Sequence, residues 1–136
     1  CKGILCGADA ALALQAGARG IVVSNHGGRQ IDGTAPAISM LPDIVAAVQQ
    51  TDAAGVPIFV DSGIRTGCQV LKALALGATA VLIGRPLPWA LAYDGAHGAQ
   101  AVLQNIGAEL EYDMKSVGCA NLDAIGSHIV KQTQNK

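Results

Sequence analysis

The sequence is poor in aromatic residues, with one Trp, two Tyr and one Phe in 136 residues, so any core it builds must be aliphatic. Charge is also sparse. Only 14% of residues are Asp, Glu, Lys or Arg and the net charge is −1, which is too little basic character for a nucleic-acid partner. No apolar run reaches the roughly 18 residues needed to span a bilayer, and no secretory signal pattern is visible. The four cysteines (Cys1, Cys6, Cys68, Cys119) form no CxxC pair and have no histidines at zinc-ligand spacing. They read as free thiols in a reducing compartment, with no metal site and a cytoplasmic location. What remains is 51% hydrophobic, enough for a buried globular core.

The chain opens on Cys1 rather than Met, in a stretch that is already apolar, and is expected to be a fragment or a processed chain. Two segments echo each other. "LQAGARGIVVSN" and "LALGATAVLIGR" each run from a helical pattern through a Gly (Gly17, Gly77) into a short β-branched run and a polar turn. "TDAAGVPIFVDSG" is a looser third copy. Glycine just past a helix supplies a left-handed cap, and short apolar runs bounded by turn residues read as buried parallel strands. The pattern predicts a strand around Ile4, a helix over 8–16 and a strand over 20–24. A helix capped by Ser39, with Pro42 in its first turn, runs to about Gln50. A strand over 57–61, a helix over 67–76 and a strand over 80–83 follow. A short helical piece near Leu91, a helix over 96–114 and a last short helix capped by Asn121 complete the chain. The polar tail "KQTQNK" is expected to fray, and it carries no peroxisomal signal.

Each predicted strand ends in polar or glycine residues at its carboxyl edge, where βα architectures bind ligands. The alternation of elements suits either a doubly wound sheet or a (β/α)₈ barrel. About three and a half βα units are present, so a barrel would be represented by its second half only. "DSGIRTG" sets Gly63, Arg65 and Gly67 before a helix, and "IGRP" sets Gly84 and Arg85 after the next strand. Glycines let a backbone approach phosphate, helix amino termini offer free N–H groups, and arginine adds a permanent bidentate charge. The two loops together read as one phosphate site rather than as unrelated turns.

"SNHGGRQ", Ser24 to Gln30, places His26 beside Arg29 in a chain with only three histidines. Imidazole exchanges a proton near neutral pH, and guanidinium holds a carboxylate through two parallel hydrogen bonds. A base beside a carboxylate clamp suits oxidation of a small hydroxy acid or amino acid. An isolated histidine would more simply serve its own loop, but here the phosphate site lies on the same edge. Lys2 falls at that edge too, where an ammonium could stabilise negative charge on a cofactor ring. His97, His128, Trp89 and Tyr93 read as structural or packing residues.

"KGI", "SNHGGRQ", "DSGIRTG", "KALALGA" and "IGRP", in this order and spacing, resemble the FMN-dependent α-hydroxy-acid oxidases and dehydrogenases. That family includes glycolate oxidase, lactate oxidase and lactate monooxygenase. The resemblance runs from Cys1 to about Ile129, and "SNHGGRQ" is its most specific part. It implies an FMN cofactor and a small L-2-hydroxy acid of the lactate or glycolate type, oxidised to the 2-oxo acid, with electrons passing on to oxygen, a quinone or a cytochrome. It implies His26 as the active-site base and Arg29 as the grip on the substrate carboxylate. Lys2 and Ser24 would touch the flavin. Asp61, Ser62, Gly63, Ile64 and Arg65 would hold the ribityl chain and phosphate, joined by Gly84 and Arg85. Residues 1–136 would form the carboxyl-terminal half of a single barrel domain, homo-oligomeric in its full-length form. The family's first half, which supplies the carboxylate partner of the histidine, is not in this chain. Ser62 stands where the family often has Gly. The other reading is an FMN- or phosphate-binding half-barrel without catalysis, which should dimerise to restore eight strands.

Overall fold

A computed structural model describes residues 1–53 and 55–131. The polar tail from Gln132 onward, expected to fray, lies outside the described residues. Strand β1 (Lys2–Ile4) leads into helix α1 (Gly7–Gln15), and β2 (Ile21–Val23) into α2 (Ala37–Gln49). Strand β3 (Ile58–Val60) precedes α3 (Gly67–Ala75), and β4 (Ala80–Val81) precedes α4 (Pro86–Ser116). Short 3₁₀ turns at Leu122–Ala124 and Ser127–Ile129 follow, the first capped by the Asn121 side chain, which accepts the Ala124 N–H. Helix α4 is broken at Asp94 and Gly95, so it comprises the short and the long helical pieces read from the sequence.

The two echoing segments fold as the same device. After α1, the N–H of Gly17 bonds the Leu14 carbonyl and that of Ala18 the Ala13 carbonyl. After α3, Gly77 bonds Leu74 and Ala78 bonds Ala73. This pairing closes a helix only with a left-handed residue after the cap, and Gly17 and Gly77 have φ of 94° and 100°. Helix α2 departs from expectation. It starts at Ala37, two residues before Ser39, and no side chain caps it. Pro36, at φ −59°, launches the helix by its fixed backbone angle instead, which leaves Ser39 and Pro42 inside it. An unexpected cap is Cys6, whose thiol accepts the Asp9 N–H at 3.4 Å at the start of α1.

Among the described residues the four strands are parallel and lie in chain order, β1-β2-β3-β4, without the reversal that marks a doubly wound sheet. Ile21, Val22 and Val23 pair in register with Ile58, Phe59 and Val60. That register levels the strand ends, so the residues that follow them emerge along one edge. The core sits on one face of the sheet. Ile21, Val23, Ile58 and Val60 alternate toward Ala10 and Leu14 of α1 and Ala37, Leu41, Ile44 and Val48 of α2, all buried. Full burial of an aliphatic side chain of this size contributes about 1.5–3 kcal/mol. Val22 and Phe59 point to the other face and are only half-buried. A second cluster, Ile64, Val70 and Ile106, joins α3 to α4. Among the described residues, no helix is long and apolar enough to cross a membrane.

Candidate active site

A cleft of about 360 Å³ opens at the carboxyl edge of the strands. Lys2, His26, Arg29, Asp61, Ser62, Gly63, Ile64, Arg65, Gly84 and Arg85 all line it. Four segments separated in the chain meet there because the parallel register brings their strand ends level. Ser24 is the exception among the expected residues. It is 2% exposed and stands behind the cleft, where its hydroxyl accepts hydrogen bonds from Lys2 Nζ (2.9 Å) and the His26 N–H (3.0 Å). Ile64 is buried against Val70 and Ile106, so its side chain belongs to the core.

An ion pair between Lys2 and Asp61 forms the floor. Partial burial opposes ionisation of Asp61, but the Lys2 ammonium and the Ser24 and Ser62 hydroxyls outweigh it and hold the carboxyl below its usual value of 3.8. His26, Gly27 and Gly28 form a left-handed turn with φ of 57°, 68° and 71°. Two glycines and a histidine tolerate that region better than most residues do. The turn is tied to both neighbouring loops. The Gly27 N–H donates to Ser62 Oγ (2.9 Å), and Arg85 donates from Nη2 to the Gly27 carbonyl (3.0 Å). Among the described residues, no carboxylate pairs with the His26 imidazole, although a base that becomes cationic is better served by one.

The phosphate reading needs one correction. The amino terminus of α3 is not the open set of donors expected, because the first-turn N–H groups of Gly67 and Gln69 already have partners. Thr66 and Gln69 form a reciprocal capping box there, and the Glu109 carboxylate accepts the Gly67 N–H at 2.7 Å. The anion-binding groups that remain are the Arg65 and Arg85 guanidiniums and the backbone around Gly63 and Gly84. A β-carbon added at Gly63 or Gly84 would meet no protein atom within 4 Å, so both glycines border open space that a ligand can fill. Trp89 is no packing residue. It is 56% exposed and lies beneath the Arg65 guanidinium, 5.4 Å from ring centroid to Cζ, while Tyr93 is almost fully exposed. Sequence reasoning missed Glu109 and the Arg65–Trp89 stack. The first lies 42 residues from its partner, and the spacing of Trp89 to Tyr93 suggests only a helix face.

Residues 1–132 match the sequence model of the FMN-dependent dehydrogenase family. The chain belongs to that family. It is 53% identical over 123 residues to 4-hydroxymandelate oxidase of Amycolatopsis orientalis, covering 90% of this chain and 33% of that protein. It is 47% identical over 131 residues to 2-hydroxyacid oxidase 1 of Homo sapiens, covering 96% of this chain and 34% of the relative. A mandelate oxidase structure with benzoyl-formic acid superposes with a TM-score of 0.84 at 52% identity, over 91% of this chain and 36% of that one. Another mandelate oxidase structure, of a variant with a monooxide FMN adduct, gives the same TM-score. The chain thus spans about a third of the length of the relatives it matches.

The family's cofactor is FMN, and the cleft of this chain fits it. Two arginines and two space-bordering glycines suit a phosphate. A lysine ammonium at the other end of the cleft suits a ring that gains negative charge.

Proposed function

We propose that this chain is the carboxyl-terminal half of the barrel of an FMN-dependent 2-hydroxy-acid oxidase, acting on a small L-2-hydroxy acid such as lactate or glycolate. The observation that carries the reading is the shared cleft of His26, Arg29, Lys2 and the two Gly–Arg loops. Three features support the half-barrel. The strands run parallel in chain order, helices cover only one sheet face, and the matched relatives are about three times as long. Parallel sheets are normally buried on both faces. The half-buried Val22 and Phe59 and the exposed Leu82 therefore suit the inner wall of a closed barrel.

In this reading Arg29 holds the substrate carboxylate by a bidentate pair and so orients the α-carbon. His26 accepts a proton from the substrate as general base. Lys2 and Ser24 serve the flavin end. Asp61, Gly63, Ile64 and Arg65, with Gly84 and Arg85, serve the ribityl and phosphate end, whereas the Ser62 hydroxyl is turned to Gly27 and Asp61. Bound FMN supplies the acceptor for the two electrons that leave the substrate. A carboxylate partner for His26 would come from the other half of the barrel. Four free cysteines suit a cytoplasmic location. Exposed Leu91 and Leu103 on α4 leave apolar surface for the homo-oligomer expected of the full-length protein. A non-catalytic binding module is disfavoured, because the relatives cited are named as oxidases.

The test uses the full-length protein that carries this segment. His26→Ala should lower turnover of lactate or glycolate by about 10³-fold or more while FMN stays bound. Arg29→Ala should raise KM steeply. Retained activity in His26→Ala would sink the assignment.

A further inference from the structure

We infer that Ser62 positions the active-site base, acting through the Gly27 peptide rather than as a ligand of the cofactor. The inference rests on His26 being that base. Ser62 and His26 are the two non-glycine residues among those described that hold a positive φ, at 72° and 57°. Serine gains nothing intrinsic from that conformation, and glycine would adopt it freely. Something in the fold must hold Ser62 there, and its hydroxyl shows what. Its oxygen accepts the Gly27 N–H at 2.9 Å, and its proton goes to Asp61 Oδ1 at 2.7 Å. Its one proton is committed and one of its two lone pairs is in use, so the hydroxyl has no donor left for a ligand.

Ser24 mirrors this arrangement. Its oxygen accepts the His26 N–H at 3.0 Å and is itself held by Lys2 Nζ. Two consecutive backbone N–H groups, those of His26 and Gly27, are thus held by two serine hydroxyls. Both hydroxyls are anchored on one ion pair, Ser24 through Lys2 and Ser62 through Asp61. The Gly27 carbonyl is held from the third side by Arg85. Three successive left-handed residues satisfy few of their own hydrogen bonds, so the turn depends on these outside partners. The backbone of His26 sets the direction of its Cα–Cβ bond and hence of the imidazole. Ser62 is therefore one of the struts that aim the base, and it sits in the loop expected to hold the ribityl chain.

The decisive variants are Ser62→Gly and Ser62→Ala in the full-length protein. Glycine keeps the left-handed backbone without strain, so that variant folds. Both remove the hydroxyl. We expect kcat at saturating FMN to fall about tenfold, since an ångström of misplacement suffices for such a loss, with FMN affinity close to wild type. In the cofactor-free protein, hydrogen exchange of the peptide containing Gly27 should quicken about tenfold once its N–H loses the Ser62 oxygen. Unchanged kcat in both variants would overturn the inference. So would a large loss of FMN affinity with kcat preserved at saturation, because Ser62 would then be a cofactor ligand. Unchanged exchange at Gly27 would overturn it as well. The exchange measurement needs no turnover. An inactive wild type would therefore defeat the proposed function, while that measurement still decides the Ser62–Gly27 contact.

Discussion

Gly67 at the start of α3 lies against the backbone of α4, and replacing it with alanine tests that packing directly. A β-carbon there would overlap the Leu110 amide nitrogen and lie 2.5 Å from the Glu109 carbonyl carbon and 2.6 Å from Glu109 Cβ. Two of these atoms belong to the α4 backbone and cannot rotate away. The helices must separate, and the bond from the Gly67 N–H to the Glu109 carboxylate breaks with them. Overpacking costs about 1–3 kcal/mol and a lost charge-assisted hydrogen bond about 1.5–3 kcal/mol, which together predict about 2.5–6 kcal/mol. Gly107 is the internal control. It also lies in this region of α4, but a β-carbon there meets nothing within 4 Å. Gly107→Ala should stabilise by about 0.5–1 kcal/mol, because alanine loses less backbone entropy in a helix. Urea unfolding of the two full-length variants measures both, with opposite signs expected. A loss below about 1 kcal/mol for Gly67→Ala, or a greater loss for Gly107→Ala, would refute the packing argument.

Other predictions concern the charges of the cleft. The carboxyl of Asp61 is held below 3.8 in the folded chain, so its contribution is complete above the unfolded value and disappears as pH falls through the folded one. Wild-type stability should therefore drop in acid below about pH 4, and Asp61→Asn should remove that part of the drop; parallel curves in acid urea titrations would contradict it. Arg65→Ala and Arg85→Ala should each weaken FMN about tenfold or more yet leave riboflavin unaffected, since riboflavin lacks the phosphate. Equal losses for both flavins in a fluorescence titration would place these arginines elsewhere. Trp89→Leu should weaken FMN about threefold by freeing the Arg65 guanidinium, with Trp89→Phe recovering much of the loss, as expected for a cation–π contact at an exposed site.

Several features of the fold can be read from short stretches. The cap after "LQAGA" and "LALGA" involves residues within a helical turn or two of one another, so its hydrogen bonds are written in adjacent positions. The break at Gly95 and the Asn121 cap are equally local. The start of α2 escaped because Pro36 and Ser39 are both plausible starters, and only the built helix shows which one carries it. His26 and Arg29 stood out because a base and a guanidinium beside paired glycines are chemically conspicuous, whatever surrounds them.

Sequence alone thus determined the order of strands and helices, the glycine caps after α1 and α3, and which residues carry an imidazole, a guanidinium or an ammonium at the strand ends. Tertiary structure decided how those residues divide the work. It set Ser24 behind the cleft and Ser62 against Gly27, and it stacked Arg65 on Trp89. It also tied the Gly67 N–H at the start of α3 to Glu109. The physical reason is range. Propensities and caps act over a few neighbouring residues, whereas the side-chain contacts around the cleft join residues 22 to 59 apart in the chain. Only the parallel register of the strands brings those loops to the same edge.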